Sequence, residues 1–320
     1  MRKLLLGTTA LAAAATLSAN AIADISISGY YEWKYQSRSS NITTNDGTTF
    51  ANDSEIVFKF SNKTDSGLDI SLTTELEADD TDTAINESSM TIAGGFGKLV
   101  LGNNDHVGDN YGIEEGDLIS EEINATGVDS LTLLDSDIAG MDGDANKVAY
   151  HLPAMGGLTA GVSFTNSGAA GASDTTAVGA RYAMSAGGAS ITLGAATATT
   201  ENSTQDIDSQ NMGMKVVTGN VSVIVSQGKY EASSTDETGT GAAISFKVND
   251  AMSIGAFTVE VEDDTSSEEY TNTGAEIQYT IASGLKAFLN VEDYDYKIGT
   301  SSSTTADSGT VSKLTIKATF

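Results

Sequence analysis

The chain has 320 residues, with 44 acidic and 16 basic side chains and a formal charge of -28 at pH 7. That balance excludes nucleic acid as a partner, because a polyphosphate would be repelled; the absence of cysteine excludes disulfide scaffolds, thiolate zinc sites and cysteine nucleophiles. His106 and His151 are the two histidines, and no stretch reaches the roughly 18–20 apolar residues of a spanning helix, which leaves crossing by strands open.

Met1-Arg2-Lys3 gives a positive start, Leu4 to Leu17 an apolar core, and Ala21-Ile22-Ala23 a small-x-small site. Together they predict a cleaved secretory signal over residues 1–23 and a mature chain from Asp24 to Phe320. Directly afterwards Ile25, Ile27, Gly29, Tyr31, Trp33 and Tyr35 alternate with mostly polar residues, the period of a strand with one apolar face. The pattern returns with Ile56, Phe58 and Phe60, and again with Leu68, Ile70, Leu72 and Leu76. Sixteen such segments are predicted, near residues 24–37, 54–61, 68–77, 87–93, 97–103, 146–152, 158–165, 176–184, 189–198, 211–217, 221–229, 241–248, 252–262, 272–281, 285–296 and 309–320. Several match the roughly 9–11 residues with which a tilted strand crosses a bilayer.

The connections alternate in length. Short turns fall at 62–67, 94–96, 153–157, 185–188, 218–220, 249–251 and 282–284. Long polar loops fall at 38–53, 78–86, 104–145, 166–175, 199–210, 230–240, 263–271 and 297–308. An even number of up-and-down strands with all long loops on one side has the asymmetry of outer-membrane barrels. A two-sheet sandwich also alternates, so the charges carry more weight. Lys34, Lys59, Lys98, Lys147, Arg181, Lys215, Lys247, Lys286, Lys313 and Lys317 lie on strands, each with parity opposite to the main apolar set. A Lys or Arg facing lipid at mid-membrane costs about 2–4 kcal/mol, whereas one facing a lumen does not. Phe60, Tyr150, Tyr182, Phe246 and Tyr279 lie on the apolar face shortly before short turns, as an interfacial aromatic girdle requires.

Lys313-Leu314-Thr315-Ile316-Lys317-Ala318-Thr319-Phe320 ends an alternating strand on an aromatic residue. Gly94-Gly95-Phe96-Gly97-Lys98-Leu99-Val100-Leu101-Gly102 and Asn146-Lys147-Val148-Ala149-Tyr150, with Pro153 and Gly157-Leu158, look like the hairpins flanking a porin's third loop. From signal to terminus the chain resembles the general porins of Gram-negative bacteria. The expected fold is therefore all-β, a sixteen-stranded antiparallel up-and-down transmembrane barrel with a long inward-folded third loop. Arginine often follows the family glycine that matches Gly102; here Asn103 and Asn104 follow, which implies a weaker basic wall.

Residues 104–145 form the longest connection, rich in Asp and Glu, and no Lys or Arg occurs between Leu99 and Asn146. The resemblance implies that this loop narrows the barrel, its acids facing bases on the wall. Glu114, Glu115, Asp117, Glu121 and Glu122 are the candidates on the loop, and Lys34, Lys59, Lys98, Lys147, Lys313 and Lys317 those on the wall. Opposed charges across a constriction set up a transverse field, and acidic rings favour cations. The expected function is passive diffusion of ions and small hydrophilic solutes, with cation preference and no enzymatic activity.

Asp142-Gly143-Asp144-Ala145-Asn146 opens like a calcium loop, yet Lys147 and Pro153 replace the glycine and glutamate of an EF-hand. Looser calcium binding at Asp142, Asp144 and Asn146 is the one cofactor expectation. The resemblance further implies homotrimers in outer-membrane lipid and lipopolysaccharide, and Ala160, Ala180 and Ala195 would suit contact between protomers. The rival reading is a secreted acidic β-rich surface protein or adhesin, which gives no reason for lysines concentrated within strands.

Overall fold

The computed structural model describes residues 24–77, 85, 87–120, 131–138, 145–166, 173–201, 205–298 and 306–320. The predicted signal over 1–23 lies outside them. Sixteen strands follow in chain order: β1 (Asp24–Ser40), β2 (Gly47–Lys63), β3 (Asp69–Glu77), β4 (Ser88–Gly94), β5 (Gly97–Asn103), β6 (Asn146–His151), β7 (Leu158–Asn166) and β8 (Asp174–Ala186) form the first half. The second half is β9 (Ala189–Glu201), β10 (Asp206–Thr218), β11 (Val221–Ala232), β12 (Thr235–Lys247), β13 (Met252–Asp263), β14 (Glu268–Ala282), β15 (Leu285–Lys297) and β16 (Asp307–Thr319). Between β5 and β6 stand the short helix α1 (Val107–Tyr111) and a 3-10 turn at Glu115–Asp117. Each strand pairs antiparallel with its chain neighbours, and β1 closes on β16 in the register Trp33↔Ile316 and Gln36↔Lys313, making a barrel without edges.

The barrel is inside-out relative to a globular protein. Ile27, Trp33, Ile56, Leu72, Val162, Val178, Leu193, Ile244, Ile277 and Leu289 are exposed on the outer face. Asn211, Glu237, Glu276, Asn290, Glu292 and Thr315, at inward positions, are buried. Phe60, Tyr182, Phe246, Tyr279 and Phe320 stand exposed near the short-turn end, where the girdle was expected. The turns there are tight. Ala186 pairs with Ala189, leaving Gly187 (φ 58°) and Gly188 (φ 83°) as a two-residue connection whose positive φ at both positions glycine meets without strain.

The strands reach further toward the long-loop end than the alternation indicates. Residues expected as a loop over 38–53 mostly extend β1 and β2, and the loop expected over 230–240 shrinks to a turn between Ala232 and Thr235. Beyond the apolar band both faces carry polar residues, so the hydropathy period fades while the backbone goes on pairing. On β13 the pattern inverts. Phe257, Val259 and Val261 point inward and are buried, and Glu260 and Glu262 point outward. With Tyr230, Tyr270, Tyr294, Tyr296 and Val311 these residues form an apolar cluster inside the barrel, packed on Ile119, Leu131 and Leu133 of the loop.

Candidate functional site

The connection after β5 turns inward and lies along the barrel wall from β7 to β14. His106 caps α1, accepting a hydrogen bond from the Gly108 amide through Nδ1 (3.0 Å), while its Nε2 stands 3.3 Å from Asp109. The Val107 amide donates to Ser163 Oγ (3.1 Å), and Tyr111 and His151 share a hydrogen bond of 2.9 Å. Arg181 donates to the Gly112 carbonyl, and Lys215 to the Asp117 carbonyl (3.1 Å). Asn211 accepts from the Ile113 amide (2.8 Å) and donates to the carbonyls of Ile113 and Ser136. Glu237 receives the amides of Thr132 and Leu133, the latter at 2.7 Å. Among the described residues, these loop backbone groups are thus satisfied by wall side chains, as burial demands.

Glycines let the loop come so near. Gly161 pairs with Gly179, Gly194 with Gly213 and Gly228 with Gly239, three cross-strand pairs beneath the loop. A Cβ at Gly179 would stand 2.6 Å from the Tyr111 side chain, one at Gly213 2.4 Å from the Ile113 carbonyl oxygen, and one at Gly239 2.1 Å from that of Asp135. Any larger residue would displace the loop backbone.

The acidic candidates take different positions. Glu115 departs from the lumen-facing expectation. It is fully buried against Gly241, and its carboxylate receives Ser136 Oγ, the Ser136 amide (3.3 Å) and Ser226 Oγ (3.2 Å). Burial pushes its carboxyl above the usual range, partly offset by the Ser136 hydrogen bonds. Asp137, which was no candidate, is pushed up to about 6, first by burial and then by the charges of Asp135, Glu115 and Asp117. Glu114 is half-buried; Asp117 is exposed, its carboxylate 3.8 Å from Arg181. Glu121 and Glu122 lie outside the described residues, as do Asp142 and Asp144. Asn146 opens β6 opposite Asn103, and among the described residues no group of three His, Asp or Glu side chains is placed to hold a metal.

The basic candidates divide as well. Lys34 and Lys317, on β1 and β16, face the lumen from the wall opposite the loop's seat. Both engage the buried Glu32, Lys34 at 2.8 Å, and Lys34 also reaches Asp53 at 3.2 Å. The Lys317 ammonium stands 4.3 Å from the Tyr30 ring centroid. Lys59 is exposed on β2, and Lys313 half-buried between Gln36 and Asn290. Lys98 is half-buried beside His151 in the β5–β6 register. Lys147 lies on the wall at an inward position of β6 but is buried there, donating to the Asn104 carbonyl at the loop's root, so its ammonium is held by the loop backbone. Arg181, Lys215, Asn211 and Glu237, which hold the loop, are not among the site residues expected from the sequence. Their inward parity is visible in the sequence, but their partners are not.

A family model for Gram-negative porins matches residues 7–299 of this chain. The chain belongs to the Gram-negative porin family. Its likeness to solved structures is one of fold. OmpT of Vibrio cholerae with loop L8 deleted is 13% identical, with 93% of this chain and 99% of that one covered at a TM-score of 0.69. A porin refined at 1.8 Å is 18% identical, with 93% and 100% covered at a TM-score of 0.66. The anion-selective porin from Comamonas acidovorans is 15% identical, with 93% and 100% covered at 0.65. No curated protein matches the sequence. Family and fold together place this porin in the outer membrane as a channel protein, and they account for an exposed apolar exterior on a chain with no spanning helix among its described residues.

Proposed function

We propose that the barrel is a water-filled path for passive diffusion of ions and small hydrophilic solutes, that it prefers cations, and that it carries out no enzymatic reaction. One observation carries the preference: Lys34 and Lys317 on the wall opposite the loop are answered by acids, whereas the loop between Leu99 and Asn146 is rich in Asp and Glu and holds no Lys or Arg. Glu32 is shared by Lys34 and Lys317, and Asp53 also reaches Lys34. On the loop side Arg181 stands near Asp117, His106 stands near Asp109, and Glu114 is a further half-buried carboxylate. Fixed negative charge in a narrow aqueous path raises the local cation concentration. The Comamonas acidovorans relative is anion-selective, so side chains rather than architecture decide the sign.

The zero-current potential of the purified chain in planar bilayers under a potassium chloride gradient tests this. A sign reporting potassium as the more permeant ion is expected; the opposite sign overturns the preference, and absence of conductance overturns the channel. We also infer export with removal of residues 1–23 and association of three copies in lipid and lipopolysaccharide, as Vibrio cholerae OmpT has a trimer form. Ala160, Ala180 and Ala195, register neighbours at outward positions on β7 to β9, offer a surface for close approach. Calcium at Asp142, Asp144 and Asn146 stays part of the reading, checked by calcium titration of the purified protein.

A further inference from the structure

We propose that the lumen wall at the short-turn end of β14, β15 and β16 is a subsite for the carboxylate or phosphate group of a small solute. The inference rests on the channel reading and names a solute class for it. A cavity of about 280 Å³ opens there, lined by Ser120 of the loop, Thr280, Lys286, Phe288, Lys317 and Thr319. Lys286 and Lys317 are direct partners across the β15–β16 ladder, so two like charges share one face of the sheet. Like charges placed opposite each other destabilise a sheet, and an arrangement of this kind is relieved by an anion between them.

Lys317 is partly answered by Glu32 and lies over the Tyr30 ring. Lys286 makes no ion pair among the described residues, so its ammonium supplies the charge that is not already engaged. Ser120, Thr280 and Thr319 add hydroxyl donors to the rim, and the buried Phe288 gives the floor an apolar wall. Two ammonium groups and three hydroxyls suit a multidentate oxyanion better than chloride, since charge-assisted hydrogen bonds to oxygen are the strong ones. Glu276, which accepts from the Ser120 amide at 3.5 Å, stands behind the loop turn and sets an acidic limit to the cavity. A solute entering from the loop end therefore meets carboxylates first and ammonium groups afterwards, an order that favours molecules carrying both signs of charge over simple anions.

The test uses the full mature chain in planar bilayers with potassium chloride on both sides, adding potassium phosphate or potassium succinate on the short-turn side. Saturable reduction of single-channel current by either probe is expected. Lys286→Gln should raise the half-saturating concentration about tenfold, the loss of one charge-assisted hydrogen bond. Thr280→Val, which leaves every charge in place, should raise it about threefold. Lys247→Gln, removing a lysine already paired with Asp250 at 2.7 Å at a neighbouring turn, should leave it unchanged. Current that varies linearly with either probe, or equal half-saturation in the wild type and both cavity variants, overturns the subsite while leaving the channel standing. Failure to observe any conducting channel overturns both.

Discussion

Glu115 and Asp137 show how burial changes what an acidic residue does. Both sit where the loop meets the wall, and in both burial raises the carboxyl, Asp137 to about 6. A carboxyl with a folded-state value above its unfolded one is held best when protonated. Its contribution to loop docking is therefore fully present below about pH 4 and is lost as pH rises toward 6. Asp137→Asn is expected to be more stable than the wild type at pH 7, by on the order of 1–2 kcal/mol after solvent screening, with the gap closing by pH 4. Thermal loss of the compact electrophoretic band at the two pH values measures it, and a gap that does not change with pH overturns the assignment. Glycine at 213 is equally specific: Gly213→Val would meet the Ile113 carbonyl, so the loop must lift. Higher single-channel conductance with more current noise is expected, and unchanged conductance would show that the loop does not set the narrowest point.

The closure of β1 on β16 depends on a compact polar knot at the long-loop end. Asp307, nearly inaccessible at 1% exposure, receives Arg38 at 2.5 Å, Asn45 at 2.9 Å and Tyr294 at 3.2 Å, together with Ser40. Arg38 also donates to the Tyr294 hydroxyl at 2.8 Å. These contacts join β15, β16 and β1 where first and last strands meet. Asp307→Ala would leave the Arg38 charge buried without its partner, a change that costs about 3–5 kcal/mol in typical cases. A lower temperature for loss of the folded band on electrophoresis is the expected result. Lys63, whose pair with Asp69 is largely exposed, provides the contrast: Lys63→Ala should shift that temperature little.

Taken as one object, the barrel is an electrostatic device whose sign depends on which charges reach water. The formal charge is strongly negative, but Glu115, Glu237 and Glu276 are buried against the loop, Glu292 is buried beside Asn272 on the wall, and Lys147 is buried at the loop's root. Asp117→Asn combined with Glu114→Gln is expected to lower the potassium-to-chloride permeability ratio, measured as a smaller zero-current potential. Raising ionic strength to about 1 M, where the Debye length is roughly 3 Å, should weaken the preference of wild type and variant alike.

Strand number, strand order and the outward direction of the apolar face were legible in the residues themselves, because a period of two is a local property and closure leaves each strand only its chain neighbours to pair with. So was the location of the long acidic connection. Strand ends were less legible at the loop side, where polar residues on both faces remove the period that marks a strand. The partners of that connection were decided by the closed barrel alone: three glycine pairs, Arg181, Asn211 and Glu237 come together only when strands distant in sequence are set side by side. The same closure determined that Glu115 turns into the wall, that Lys147 lies beneath the loop, and that Lys286 and Lys317 face each other across a ladder. Alternation tells which side of a strand meets water; how a charge is answered depends on neighbours that only the completed ring supplies.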